Sequence, residues 1–110
     1  MRIASISKPL AMCAAARLYE QGKLDFDKPV REYVESWPDK HPPITVRQIA
    51  SHTAGIRHYK EEKKDEKEKA DGLGDTKYPE FYSTKAYKTV GEALEVFKDD
   101  DLLCEPGLFF

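Results

Sequence analysis

The longest apolar stretch of the chain lies near its start and predicts a helix. Between residues 10 and 19, apolar side chains fall on nearly every side of a helical arrangement. A helix that is apolar all round is typical of a protein interior. We therefore predict a buried helix over residues 3–21, ended by Gly22, with Lys23 placed to offset the negative end of the helix.

Three shorter helices are predicted further along the chain. Residues 29–37 repeat apolar side chains at positions i, i+3, i+4 and i+7, starting at Pro29 and stopping before Pro38. Helices are also predicted after Thr45 and after Thr89, because each threonine is followed three residues later by Gln or Glu, as in a capping box. No segment alternates apolar and polar side chains over a useful strand length. The part present is therefore predicted to be mostly α.

A charged segment interrupts this pattern in the middle of the chain. Within residues 57–77, residues 57–72 are built largely of Lys, Glu and Asp and have almost nothing apolar to bury. Several like charges lie four residues apart, which opposes helix formation. We predict a solvated insertion here, frayed or disordered, with a specific docking element as the alternative. It divides one partial domain, residues 1–110, into a first region of residues 1–56 and a return to helical structure over residues 78–110.

Composition and charge argue against several classes of function. A chain of 110 residues, 35% of them charged, makes at most one domain with little to bury. The net charge of -2 argues against nucleic acid or a membrane surface as the main partner. No apolar run approaches the ~20 residues of a membrane span. No spacing of His, Cys or acidic residues fits a metal site and no glycine-rich phosphate loop is present, so we expect no metal and no cofactor.

The cysteines and the N-terminal composition bear on the cellular compartment. Cys13 and Cys104 make no disulfide framework, and we expect both to be reduced core thiols of a cytosolic or organellar protein. The residues before Glu20 include basic and hydroxylic side chains but no acid, which imitates a mitochondrial presequence. The apolar residues 10–16 also imitate a short signal-peptide core, so targeting segments remain alternatives to a structural helix.

The start of the first helix carries the candidate chemistry. Ser5 and Lys8 are three residues apart, so their side chains share one face of a helix. A lysine whose charge is made costly by burial can take a proton from a serine hydroxyl, and the amides of the first turn favour a developing oxyanion. If the helix begins at Ser5, Pro9 lies beyond the favoured first position and displaces Lys8, unless the helix start shifts. Ser and Lys are common residues, so the tetrapeptide alone leaves a purely structural role open.

Four features in one order resemble a known family. They are Ser-Ile-Ser-Lys opening an Ala-rich helix, Gly-Lys-Leu-Asp-Phe-Asp-Lys-Pro-Val, Ile-Thr-Val-Arg-Gln-Ile-Ala-Ser-His-Thr-Ala-Gly-Ile, and Glu-Pro-Gly-Leu-Phe-Phe. Together they resemble the serine β-lactamase-related family, which includes class C β-lactamases, DD-peptidases and related esterases. The start of the chain and the charged insertion look most like a branch of that family found in animal mitochondria.

The resemblance implies a fold, a mechanism and a location. The fold is that of β-lactamases and penicillin-binding proteins, α+β with a mixed sheet covered by helices, of which this chain would be a helical fragment. Ser5 is implied as the acylated nucleophile and Lys8 as its general base, with residues 52–56 as a scaffold turn. The mitochondrial branch implies a protease linked to lipid metabolism that assembles into homo-oligomers or filaments; otherwise we expect a cytoplasmic protein. The family's Tyr-x-Asn element and its Lys-Thr-Gly or His-x-Gly strand are expected beyond Phe110.

Two functions from different classes follow from these expectations. The first is a fragment of a serine hydrolase that forms an acyl-serine with a peptide, ester or lactam, inactive on its own because half of the site is missing. The second is a non-catalytic or truncated member of the family that acts through self-assembly or protein interaction.

Overall fold

The computed structural model describes residues 3–60, 80 and 83–108. The chain divides into two compact units. Unit 1 comprises residues 1–56 together with residues 102–110, and unit 2 comprises residues 57–101. From residue 61 onward, the predicted insertion of residues 57–77 lies outside the described residues. No helix in the described ranges is both long enough and apolar enough to cross a bilayer.

The first helix of unit 1, α1, spans Ser7–Glu20 and follows a 3-10 turn over Ala4–Ile6. This confirms most of the predicted helical span, with the regular α-helix starting at Ser7. No residue of α1 is buried, so the predicted burial is wrong for this chain. A helix that is apolar on every side is suited to burial, but it is buried only if other parts of the protein pack around it.

The predicted helix over residues 29–37 is wrong. The structure has a single 3-10 turn there, Val30–Glu32, with Pro29 as its extended N-cap residue. One α-type bond forms, from the Val34 amide to the Val30 carbonyl at 2.9 Å. The regularly spaced apolar side chains do not need a helix to find their places. Trp37 packs into the core, while Tyr33 is exposed and its hydroxyl accepts a hydrogen bond from the Asp25 amide.

Helices α2, Val46–Ala50, and α3, Val90–Leu94, lie where the capping residues predicted them. Thr45 makes the full capping box with Gln48, each side chain binding the backbone amide of the other residue. In α3, Thr89 accepts from the Glu92 amide, but the Glu92 carboxylate accepts from the amide of the preceding Lys88. Both predicted helix starts are confirmed. In the second, the side chain of Glu92 binds the amide of Lys88 and not that of the N-cap residue Thr89.

The core of unit 1 is small and joins segments that are far apart in the sequence. Among the described residues, its buried apolar side chains are Trp37, Ile44 and Ala54. The His41 ring is also buried and lies 5.5 Å from the Trp37 ring. Residues 26–30 pair with residues 44–47 through three backbone bonds, which end at the amides of Val30, Val46 and Arg47. Two of the four segments that carry the family resemblance therefore pack directly together.

The described part of unit 2 is organised by Arg57. Its guanidinium binds both oxygens of Glu80, at 2.8 and 2.9 Å, and its Nε donates to Asp100. The remaining bonds go to the carbonyls of His58 and Val96. All five N–H groups of the guanidinium are therefore used, which explains how a cation is held with only 13% of its side chain exposed.

Candidate active site

Ser5 and Lys8 lie within hydrogen-bond distance of each other. Ser5 is the middle residue of the 3-10 turn and Lys8 is the second residue of α1. The Lys8 Nζ donates to the Ser5 Oγ at 3.1 Å. The spacing of three residues thus brings together the hydroxyl and the amine that the sequence singles out, without a contribution from any distant segment.

The shift in helix start accommodates Pro9. With Ile6 as the N-cap residue, Pro9 is the third residue of α1. The first amides of a helix have no intrahelical acceptor, so the missing N–H of proline costs no backbone bond at this position. The expected displacement of Lys8 away from Ser5 is therefore not seen in the structure.

The turn before α1 has an unusual backbone. Ala4 adopts a φ of 45°, in the left-handed region that residues with a Cβ rarely occupy. Its carbonyl accepts hydrogen bonds from the Ser7 amide and from the Ser7 Oγ, the latter at 2.7 Å. The residue that precedes Ser5 is thus held in a strained conformation by the residue two positions after Ser5.

Ser5 and Lys8 are both exposed. The sequence argument requires burial to make the charged form of the lysine costly, and the described residues do not supply that burial. What they supply is geometry: a hydroxyl and an amine on one face of a helix start. That arrangement can pass the hydroxyl proton to the amine when the amine is neutral.

The predicted scaffold turn over residues 52–56 packs against the segment that follows unit 2 in the sequence. The Leu103 amide donates to the Gly55 carbonyl, and the Gly107 amide donates to the Thr53 carbonyl, both at 2.7 Å. Gly55 has a φ of 73°, and a Cβ there would collide with the Cys104 carbonyl. The third and fourth segments that carry the resemblance therefore also contact each other.

Two roles were missed from the sequence. Nothing in the sequence separates Glu80 or Asp100 from the many other acidic residues, so the pairing with Arg57 could not be predicted. Ser7 could have been noticed, because a serine hydroxyl can donate to the backbone carbonyl three or four residues earlier in the chain. The cysteines are free, as predicted, but Cys13 is exposed and Cys104 is half-buried, so the prediction of core thiols is wrong.

No three metal-ligating side chains of the described residues cluster in a way that could hold a metal ion. The candidate site is a pair of side chains, Ser5 and Lys8, at the start of one helix.

Comparison with known proteins places the chain in a class. The family model described as beta-lactamase matches residues 1–108, and the chain belongs to that family, whose members are generally serine hydrolases. The mouse protein named serine beta-lactamase-like protein LACTB, mitochondrial, is 51% identical over 76 residues, which cover 64% of this chain and 14% of the mouse protein. The human protein of the same name matches to the same extent. A beta-lactamase-like protein, str5, of Strobilurus tenacellus is 36% identical over 66 residues, 50% of this chain and 24% of the fungal protein.

The family resemblance stated from the four sequence features is thereby confirmed. The chain spans about a seventh of the length of the mouse and human relatives that it matches.

Proposed function

We propose that this chain carries the nucleophile region of a beta-lactamase-like serine hydrolase that works through an acyl-serine. Ser5 is the nucleophile and Lys8 its general base in this proposal. The observation that supports it best is the 3.1 Å hydrogen bond between the Lys8 Nζ and the Ser5 Oγ. Membership of a family that generally hydrolyses its substrates through serine adds independent support.

The proposed reaction has two stages. In the first, neutral Lys8 takes the hydroxyl proton while the Ser5 Oγ bonds to the substrate carbonyl carbon, and backbone amides including that of Ser5 stabilise the oxyanion. Collapse of this intermediate breaks the bond to the leaving nitrogen or oxygen, which receives the proton from Lys8. In the second stage, water attacks the acyl-serine and restores the Ser5 hydroxyl.

The site needs more than this chain provides. Lys8 is exposed here, and the matched segment is 14% of the mouse relative. We propose that residues outside residues 1–110 cover α1 and complete the site, and that the 110-residue chain is inactive alone. Substrates of the complete site are peptides, esters or lactams, the acyl compounds that a serine nucleophile attacks.

Location and biological role rest on resemblance. The names of the mouse and human relatives include the word mitochondrial, and we propose a mitochondrial location for this protein. A protease linked to lipid metabolism, assembled as a homo-oligomer or filament, is the corresponding proposal for its role.

A fluorophosphonate probe tests the nucleophile. We expect the full-length gene product to be labelled at Ser5 and the isolated 110-residue chain to remain unlabelled. Ser5→Ala should abolish labelling, whereas the matched control Ser36→Ala, at another exposed serine, should leave it unchanged. Equal labelling of the Ser5→Ala variant would remove Ser5 from the proposed role, and labelling of Ser5 in the isolated chain would overturn the proposed inactivity.

The second candidate function is assembly without catalysis. It is favoured by the exposed apolar side chains of α1, of which Leu10 is 60% exposed. If cellular activity of the full-length gene product survives Ser5→Ala, and Leu10→Ser abolishes both that activity and self-association while the protein stays folded, assembly is the function. If Ser5→Ala alone abolishes that activity, assembly without catalysis is excluded.

A further inference from the structure

We propose that Ser7, which no step of the reaction uses, is a positioning residue for the nucleophile. It holds the peptide unit between Ala4 and Ser5 in the orientation that the reaction needs. This inference rests on the proposed function of Ser5.

The argument begins with two bonds to one atom. The Ala4 carbonyl oxygen accepts from the Ser7 amide and from the Ser7 Oγ, at 2.7 Å for the hydroxyl. The amide bond is part of the 3-10 turn and any residue at position 7 except proline can make it. The hydroxyl bond belongs to the serine side chain, so its contribution can be removed by mutation.

Because the peptide bond is planar, the hydrogen bonds to the Ala4 carbonyl also restrict the orientation of the Ser5 amide. The carbonyl of Ala4 and the amide of Ser5 belong to the same rigid, trans peptide unit, in which C=O and N–H point in opposite directions. Fixing the direction of the Ala4 carbonyl therefore fixes the direction of the Ser5 N–H. That N–H is one of the donors proposed for the oxyanion, so Ser7 sets where the donor points.

The conformation of Ala4 explains why such a hold is needed. At a φ of 45°, Ala4 lies in a region that a residue with a Cβ leaves unless its surroundings keep it there. If Ala4 relaxed to an ordinary helical φ, the peptide unit would rotate and the Ser5 N–H would turn with it. The Ser5 backbone also directs its side chain, so the 3.1 Å contact of its Oγ with the Lys8 Nζ depends on the same arrangement.

The first test is kinetic and uses the full-length gene product. We expect Ser7→Ala to slow acylation of Ser5 by a fluorophosphonate about 10-fold, the change that corresponds to one lost hydrogen bond of ordinary net strength. Ser7→Thr, which keeps a hydroxyl, should restore the rate. The loss should appear in the rate at saturating probe, with the half-saturating concentration and the pH profile unchanged, because probe contacts and Lys8 are intact.

The outcomes separate this inference from the proposed function. Wild-type rates in Ser7→Ala, together with no labelling in Ser5→Ala, would overturn the role of Ser7 and leave Ser5 as nucleophile. Labelling that persists in Ser5→Ala would remove the nucleophile and this inference with it.

A second measurement does not depend on catalysis. In the 110-residue chain, the three-bond coupling between the amide proton and the α proton reports the φ of Ala4, and backbone carbon shifts report the same region. We expect Ser7→Ala to move both toward ordinary helical values, with Ser7→Thr and the control Ser36→Ala unchanged. Unaltered values at Ala4 in Ser7→Ala would also overturn the inference.

Discussion

At the scale of single residues, the ion pair of Arg57 and Glu80 shifts the pKa values of both side chains. The two side chains are 13% and 26% exposed, and they meet through two parallel hydrogen bonds. These bonds hold the pKa of the Glu80 carboxyl below its ordinary value, helped by the amide of Lys60, which donates to the same carboxylate. The pKa of Arg57 is raised by the same pairing. The carboxylate of Glu80 is therefore favoured in the folded state.

A pH dependence of stability follows from Glu80. Because its pKa is lowered by folding, its contribution is present above the unfolded value of about 4.5 and is lost as the pH falls through the folded value. We expect Glu80→Gln to lower the free energy of unfolding of the chain by about 1 to 3 kcal/mol at neutral pH, and to weaken its acid dependence. Urea denaturation as a function of pH measures both effects.

The exposed Glu35 provides the control for this measurement. Glu35→Gln makes the same chemical change outside the Arg57 network and should leave the stability within about 0.5 kcal/mol of wild type. An acid dependence that is as steep in Glu80→Gln as in wild type would contradict the assignment to Glu80.

At the scale of elements, the helices that are set by a local cap could be predicted from the sequence, whereas the structure of segments that depend on longer-range packing could not. Helices α2 and α3 have 5 residues each, far fewer than the ~12 that an isolated helix needs in water. They begin where Thr45 and Thr89 cap them, and a cap is a signal within four residues of sequence. The predicted helix over residues 29–37 failed because apolar spacing cannot show whether a side chain such as Trp37 is buried from a helix or from a turn.

The packing of the scaffold turn predicts that alanine is more destabilising at Gly55 than at Gly22. Gly55 has a φ of 73° and lies against the Cys104 carbonyl, whereas Gly22 has a φ of 68° with open space around it. We expect Gly55→Ala to destabilise the chain by about 3 kcal/mol or more, since backbone strain and a collision with backbone atoms add together. Gly22→Ala should cost about 1 kcal/mol, from strain alone.

Chemical denaturation of the two variants tests this difference. Equal losses for Gly22→Ala and Gly55→Ala would contradict the expected collision of a Cβ at residue 55 with the Cys104 carbonyl. A larger loss at Gly55 would show that the close approach of Gly55 to the Cys104 carbonyl is needed for full stability.

At the scale of the whole molecule, the family was predictable because its four segments keep their order in the sequence. Which of those segments contact each other could not be predicted. Residues 26–30 bind residues 44–47, and residues 53–55 bind residues 103–107, through backbone hydrogen bonds. Such bonds leave no signal in the side-chain sequence. The Ser5 and Lys8 pair was predictable because both residues belong to one turn. The exposure of α1 was not, because burial depends on what the rest of a protein places around a helix.

The exposed thiol of Cys13 reports whether α1 is covered. In the 110-residue chain, we expect Cys13 to react with a maleimide faster than the half-buried Cys104. In the full-length gene product, Cys13 should become protected, as the proposed covering of α1 requires. Mass spectrometry of the modified peptides measures both rates, with Cys13→Ser as the control for the assignment. Protection of Cys13 in the 110-residue chain would contradict its exposure, and rapid modification in the full-length product would contradict the proposed covering.

Unit 1 is assembled from two stretches of sequence, residues 1–56 and residues 102–110, whose contact closes a long loop. The entropy of closing a loop grows only with the logarithm of its length, so doubling the number of residues between the two stretches costs about 0.6 kcal/mol. By loop entropy alone, changes in length within residues 57–101 are therefore inexpensive, as long as the bonds of Thr53 and Gly55 to the returning chain and the bonds of Arg57 to Glu80 and Asp100 survive. We therefore expect the contact between residues 53–55 and residues 103–107 to tolerate changes in the length of the chain between them.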